Sequence, residues 1–163
     1  MVDEKKSQTS DTWTKMEQPM SVLGKFSWLI ALGSAIVMLI QGIMGINAYN
    51  SAMGWYNYYV GIGWPTYAAP FQLAANAALG QAIWNFIGMG VTLVLIFIYV
   101  LKPFSIKCAA KDWEALVADG KKMWIMWILL AVFSYWGCIG VAIPAIMLTF
   151  IGPGKGRIFG GKK

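Results

Sequence analysis

The sequence predicts an all-α integral membrane protein: two transmembrane helices, a third long hydrophobic region, and an uncharged aromatic connection on the outer side. Three observations predict it. Charged residues make up 12% of the 163 positions, against roughly 25% in soluble domains. The mean hydropathy is +0.59. The shortage of charge is also concentrated, with no Asp, Glu, Lys or Arg anywhere from Phe26 to Leu101. A hydrocarbon layer about 30 Å thick needs roughly 20 apolar residues per helix, so this run holds two spans and a substantial connection.

Residues 1–25 mix both charge signs and contain no apolar h-region. They read as a flexible cytoplasmic tail rather than a cleavable signal, with residue 26 onward acting as a signal-anchor. Val2 excludes N-myristoylation, the final GGKK fits no prenylation motif, and the chain has no Asn-x-Ser/Thr sequon.

The first span is expected over 26–46, with Lys25 as its positive flank and Trp28 at interfacial depth. Ala31, Ala35, Gly42 and Gly45 fall on one side of it at helical spacing. Such a face lets a neighbouring helix approach closely. The second span is expected over 81–101, thinned by Gly88 and Gly90, with Tyr99, Lys102 and Pro103 closing it. Proline cannot continue helical bonding, and a lysine there can snorkel to the headgroups.

Between the spans lies the outer connection, 47–80. It contains AMGWYNYYVGIGWPTYAAPFQLAANAALGQ, which begins at Ala52, ends at Gln81 and carries no charge. Pro65 and Pro70, with Gly61 and Gly63 nearby, are expected to interrupt a spanning helix. Trp55, Tyr56, Tyr58, Tyr59, Trp64 and Tyr67 match an interfacial aromatic belt. The stretch reads as a re-entrant or surface-lying cap followed by a short helix over 71–80, and as the candidate contact surface for lipid headgroups or a neighbouring subunit.

The cytoplasmic loop, 102–122, contains Trp113, Leu116 and Val117 at helical i, i+3, i+4 spacing, with Gly120 where a C-cap would sit. A short helix lying on the inner leaflet or against a partner is expected there. Cys108 and Cys138 read as free thiols at different depths, with Cys108, just past a membrane end, a possible site of reversible palmitoylation.

The third region, 123–151, would reach about 43 Å as one helix, too long for an upright span and too short for two. It is either one tilted helix bent near Pro144 or a helical hairpin turning over 134–140. Three simple spans would place nine Lys and Arg inside and four outside, a hairpin all 13 inside, and an extra span over 56–71 eight and five. The positive-inside rule therefore favours the hairpin, with the N-terminus cytoplasmic. Residues 152–163 read as a basic tail. GKFSW at 24–28 is echoed by GKKMW at 120–124, each with an Ala seven residues after the Trp, Ala35 and Ala131. The echo fits either a duplication or two similar inward-facing helix ends.

For chemistry the sequence offers mostly absences. It contains no histidine, the commonest general base and metal ligand. No ionisable Asp, Glu, Lys or Arg falls within 26–46, 81–101 or 123–151, which disfavours proton-coupled or gating-charge chemistry. No catalytic residues, cofactor, metal site or nucleic-acid partner are expected. The uncharged polar residues Gln41, Asn47, Asn76, Gln81, Asn85 and Ser134 suit hydrogen bonds between helices. These features point to a non-enzymatic accessory or scaffold subunit of a larger membrane assembly, whose partners are the bilayer and other membrane subunits. The alternatives are a self-associating four-pass membrane organiser and an oligomeric channel for an uncharged solute.

Overall fold

A chain this apolar must satisfy its backbone hydrogen bonds locally. The computed structural model, which describes residues 2–159 and their side chains from residue 11, is helical throughout; among the described residues there is no strand. The order is α1 (Val2–Lys25), α2 (Ser27–Gly61), α3 (Pro65–Leu95), a π-helical segment (Ile96–Phe104), α4 (Ser105–Ala109), α5 (Trp113–Ala118), α6 (Gly120–Phe133) and α7 (Ile139–Phe150). Two stretches, Ser27–Gly61 and Pro65–Ala109, are long and apolar enough to cross a membrane. The chain divides into two compact units, one formed by residues up to Ser34 and from Val91 on, the other by Ala35–Gly90.

In the second unit the expected cap over 47–80 is replaced by helix. α2 runs on to Gly61 and α3 begins at Pro65, leaving a turn in which Gly63 adopts φ +81°. The prolines do not interrupt anything. Pro65 opens α3, where its missing N–H would be unbonded in any case and its fixed φ suits the first turn. Pro70 sits in the second turn and forfeits a single backbone bond. The two helices pack antiparallel on small residues. A Cβ at Gly42 would meet the Phe86 ring at 2.9 Å, and one at Gly45 would meet the Ala82 Cβ at 2.9 Å and the Ala78 carbonyl at 3.2 Å.

In the first unit Lys102 and Pro103 do not end the helix, as the sequence suggested. The chain widens into the π segment, the Ser105 N–H bonds the Val100 carbonyl, and α4 follows. The wider turn absorbs the Pro103 ring, which an α-helix would press against the carbonyl four residues earlier. The third region breaks at 134–138, with Tyr135 at φ 41°, rather than at Pro144, which lies buried inside α7. α6 and α7 fold back on one another: the Trp124 indole near the start of α6 donates to Thr149 Oγ1 near the end of α7 at 3.0 Å. At the crossing of α7 and the start of α2, a Cβ on Gly140 would lie 2.7 Å from the Ser27 Cα. The break itself is held by Ser34 Oγ, which donates to the Ser134 carbonyl at 2.6 Å.

The two expected tails are structured within the described residues. Residues 2–25 are helical, and Trp13 meets Trp113 edge-on at 5.2 Å. Ile158 is buried against Gly120 and Gly154, and Trp13 also contacts Gly152. α5 forms as its spacing predicts, capped by the Asp112 carboxylate on the Ala115 N–H at 3.1 Å. Its apolar face, Trp113, Leu116 and Val117, is buried in the unit's own core with Met20, Phe104 and Leu148, not turned to a leaflet. Gly120 opens α6 instead of capping α5. The two echoed segments also differ in setting, since Ala35 is buried and Ala131 exposed.

The Gly140 contact falls on backbone, which cannot swing aside. Gly140→Val is expected to destabilise the protein by about 1–3 kcal/mol, the usual cost of overpacking. Gly54→Ala, where a Cβ meets nothing within 4 Å, should leave stability unchanged or raise it. Thermal unfolding of both variants in detergent, followed by circular dichroism, checks the pair.

Candidate functional site: an uncharged docking surface

The α2–α3 hairpin of the second unit gathers the aromatic residues singled out from sequence, but along two helices rather than on a flat cap. Trp55, Tyr58 and Tyr59 lie on successive turns of α2, and Tyr67 and Phe71 on the first turns of α3. The Tyr59 ring stacks on Phe71 at 5.4 Å and on Tyr67 at 6.4 Å. Trp55 stacks on Phe71 at 6.2 Å. Tyr58 meets Tyr59 edge-on at 5.5 Å, and Trp64 in the turn lies 5.7 Å from Tyr67. Each such pair contributes about 0.5–1.5 kcal/mol beyond its buried area, so the ladder stiffens the tip.

The stacking leaves broad apolar faces outward: Trp64 is 57% exposed and Tyr67 66% exposed. Tyr56 is half-buried and none of these stacks includes it. Phe71 holds the ladder together and was missed in the sequence. Its role follows only from the antiparallel register that the turn at Gly63 sets.

A second feature lies further along the same hairpin. Gln41, Met44, Gly45 and Ala48 of α2 line an open groove of about 280 Å³ with Ala78 and Gln81 of α3. Both glutamines are exposed, so the groove offers two amide groups amid apolar surface. Gly45 is what admits the close helix approach at its floor. Asn47 and Asn76 lie exposed on the two helices, while Asn85 is buried.

The remaining predicted packing residues divide. Ala31 and Ala35 are buried, each in its own unit, and Gly88 is buried. Gly90 packs against nothing, since a Cβ there would find open space. Cys108 is not presented for acylation. Its side chain is fully buried, its sulfur lies against Gly24 with Phe104 nearby, and its carbonyl accepts from Ser21 Oγ at 2.8 Å.

Among the described residues no group of three His, Cys, Asp or Glu side chains is placed to hold a metal ion. Three acidic side chains serve local structure. Asp119 pairs with Lys107 at 2.6 Å, Glu114 pairs with Arg157 at 2.8 Å, and Glu17 accepts from the Trp113 indole at 2.8 Å. Exposed though it is, the Glu114 carboxyl is held below its usual range by the hydrogen bond from Arg157.

One measurement checks the Cys108 assignment. Maleimide should modify it only after denaturation, as read by peptide mass spectrometry; rapid labelling of native protein would show that its seam is open.

Comparison with family models, with curated proteins and with solved structures finds no match to this chain.

Proposed function

We propose that this protein is a non-enzymatic accessory subunit of a larger membrane assembly, anchored by α2 and α3 and docked through the α2–α3 hairpin. The observation that carries the proposal is the pairing of an exposed aromatic tip with the groove holding Gln41 and Gln81. At apolar depth a glutamine amide facing lipid has nothing to bond. A neighbouring helix supplies that bond, at about 0.6 kcal/mol each in typical membrane interiors. The tip adds large, stiff aromatic surfaces of the kind that anchor protein contacts.

Helix length supports the same reading. The 35 residues of α2 span about 52 Å at 1.5 Å per residue, well beyond the roughly 30 Å hydrocarbon layer. The hairpin therefore projects past the bilayer, where it can reach a partner. α6 and α7, with 14 and 12 residues, reach about 21 and 18 Å. In this reading they form a re-entrant hairpin that enters and leaves on the cytoplasmic face. Both chain ends then lie on that face with all 13 Lys and Arg, in accord with the positive-inside rule.

The test is extraction of native membranes with mild detergent, followed by native gel and mass spectrometry. The chain should migrate with other membrane proteins. Gln41→Leu combined with Gln81→Leu, or Trp64→Ala combined with Tyr67→Ala, should lower partner recovery at least fivefold while the chain stays in the membrane. A chain that migrates alone, or only as multiples of itself, overturns the accessory reading. Multiples would assign the hairpin to self-association, and solute flux through liposomes holding this chain alone would assign it to a channel.

A further inference from the structure

In the first unit two segments distant in sequence line one open groove of about 380 Å³. The α1–α2 junction contributes Lys25 and Trp28. The π segment and α4 contribute Leu101, Lys102, Ser105 and Ile106. The groove exists because the widened π turn carries the helix on past Pro103, bringing α4 against α1. That contact is fixed by Ser105 Oγ, which donates to the Gly24 carbonyl at 3.0 Å.

The charges around it are unbalanced. Asp119 is taken by Lys107, Glu114 by Arg157, Glu17 by the Trp113 indole, and Asp112 by the cap of α5. Among the described residues neither Lys25 nor Lys102 has an ion-pair partner within 4.0 Å. Lys25 instead lies 5.4 Å from the centre of the Phe26 ring, its charge held beside apolar surface. Both lysines are exposed, and Ile106 is 60% exposed. The groove thus joins a doubly cationic rim, a half-buried indole and an uncovered aliphatic wall.

We infer that this groove binds one anionic phospholipid. The phosphodiester sits between the Lys25 and Lys102 ammonium groups. The Trp28 ring lies at headgroup depth, where amphipathic indoles concentrate, and an acyl chain covers Leu101 and Ile106. A zwitterionic lipid would bring its own cation to a rim that already holds two. Free phosphate would leave the aliphatic wall bare. An anionic phospholipid meets both demands together, and the cytoplasmic leaflet is where such lipids concentrate. The inference rests on the membrane placement proposed above but not on docking through the hairpin.

The test uses the full chain, delipidated in uncharged detergent and titrated separately with phosphatidylglycerol, phosphatidylcholine and inorganic phosphate under native mass spectrometry. One phosphatidylglycerol should be retained per chain under conditions that strip phosphatidylcholine, and inorganic phosphate should not displace it. At about 1 kcal/mol for each Lys beside an anionic surface, and tenfold in affinity per 1.4 kcal/mol, Lys25→Gln with Lys102→Gln should weaken retention about thirtyfold. Ile106→Asn should weaken it through the wall alone, and Lys155→Gln with Arg157→Gln should leave it unchanged. Single Lys102→Gln, with helix content checked by circular dichroism, covers the case in which the double variant fails to fold.

Equal retention of the two lipids, or unchanged phosphatidylglycerol retention in the lysine variants, overturns the site. Displacement by an acidic peptide ahead of lipid would reassign it to a protein. A chain that stays with carbonate-washed membranes yet holds both lipids alike loses the lipid site and keeps its membrane placement. A chain that carbonate releases loses the placement itself.

Discussion

The first unit depends on the seam at Gly24, where the bare backbone of α1 meets the Cys108 side chain of α4. The Gly24 carbonyl accepts from both Ser27 Oγ, at 2.7 Å, and Ser105 Oγ, at 3.0 Å, while Ser21 Oγ reaches the Cys108 carbonyl at 2.8 Å. Three hydroxyls thus bond backbone carbonyls at the junctions of four helical segments, each bond contributing about 0.5–1.5 kcal/mol net. Because Cys108 fills the space a Cβ at Gly24 would occupy, the packing admits no larger residue there without displacement. The turn at Phe26, the burial of Cys108 and the placing of Lys25 on the same groove as Lys102 all follow from this contact.

From the seam outward the unit packs on a hydrophobic core that includes Met20, Tyr99, Phe104, Leu116, Leu130 and Leu148, and amphipathic side chains stitch its edges. Trp13 and Trp113 bind α1 to α5, and Glu17 ties the same indole. Ile158 and Arg157 fold the C-terminal segment back onto Gly120 and Glu114. With so few acids in the chain, these structural pairings leave lysines over. The surplus is the physical origin of the cationic groove.

The second unit is built under the opposite restriction. It has no charge at all between Ala35 and Gly90, so its specific surface groups are amides, a few hydroxyls such as those of Ser51 and Thr66, and aromatic rings. Small residues bring α2 and α3 close at Gly42 and Gly45. Larger rings take over nearer the turn, where Trp55, Tyr59 and Phe71 fill the space between the helices. The same sequence of sizes, small then aromatic, makes the groove with Gln41 and Gln81 at one level and the exposed tip at the other.

Composition and periodicity by themselves determined that the chain is helical, where its two longest apolar stretches lie, that α5 would form around Trp113, Leu116 and Val117, and that the charges gather in a few segments. These are properties of local sequence: side-chain transfer energy, helical spacing and the need to pair backbone groups where water is scarce. Tertiary structure decided what local rules could not. Pro65 and Pro70 look like breakers, but at the start of a helix a missing N–H costs little, so α3 forms. Pro103 looks like a stop, yet a π turn carries the chain past it. The segments before Lys25 and after Ile151 look like tails because their few apolar residues are isolated in sequence. Trp13 packs against the core and Ile158 is buried only because distant glycines, Gly152 and Gly120, leave room for them. Whether such an anchor finds its socket depends on contacts between segments more than 30 residues apart, and no window of sequence contains both halves.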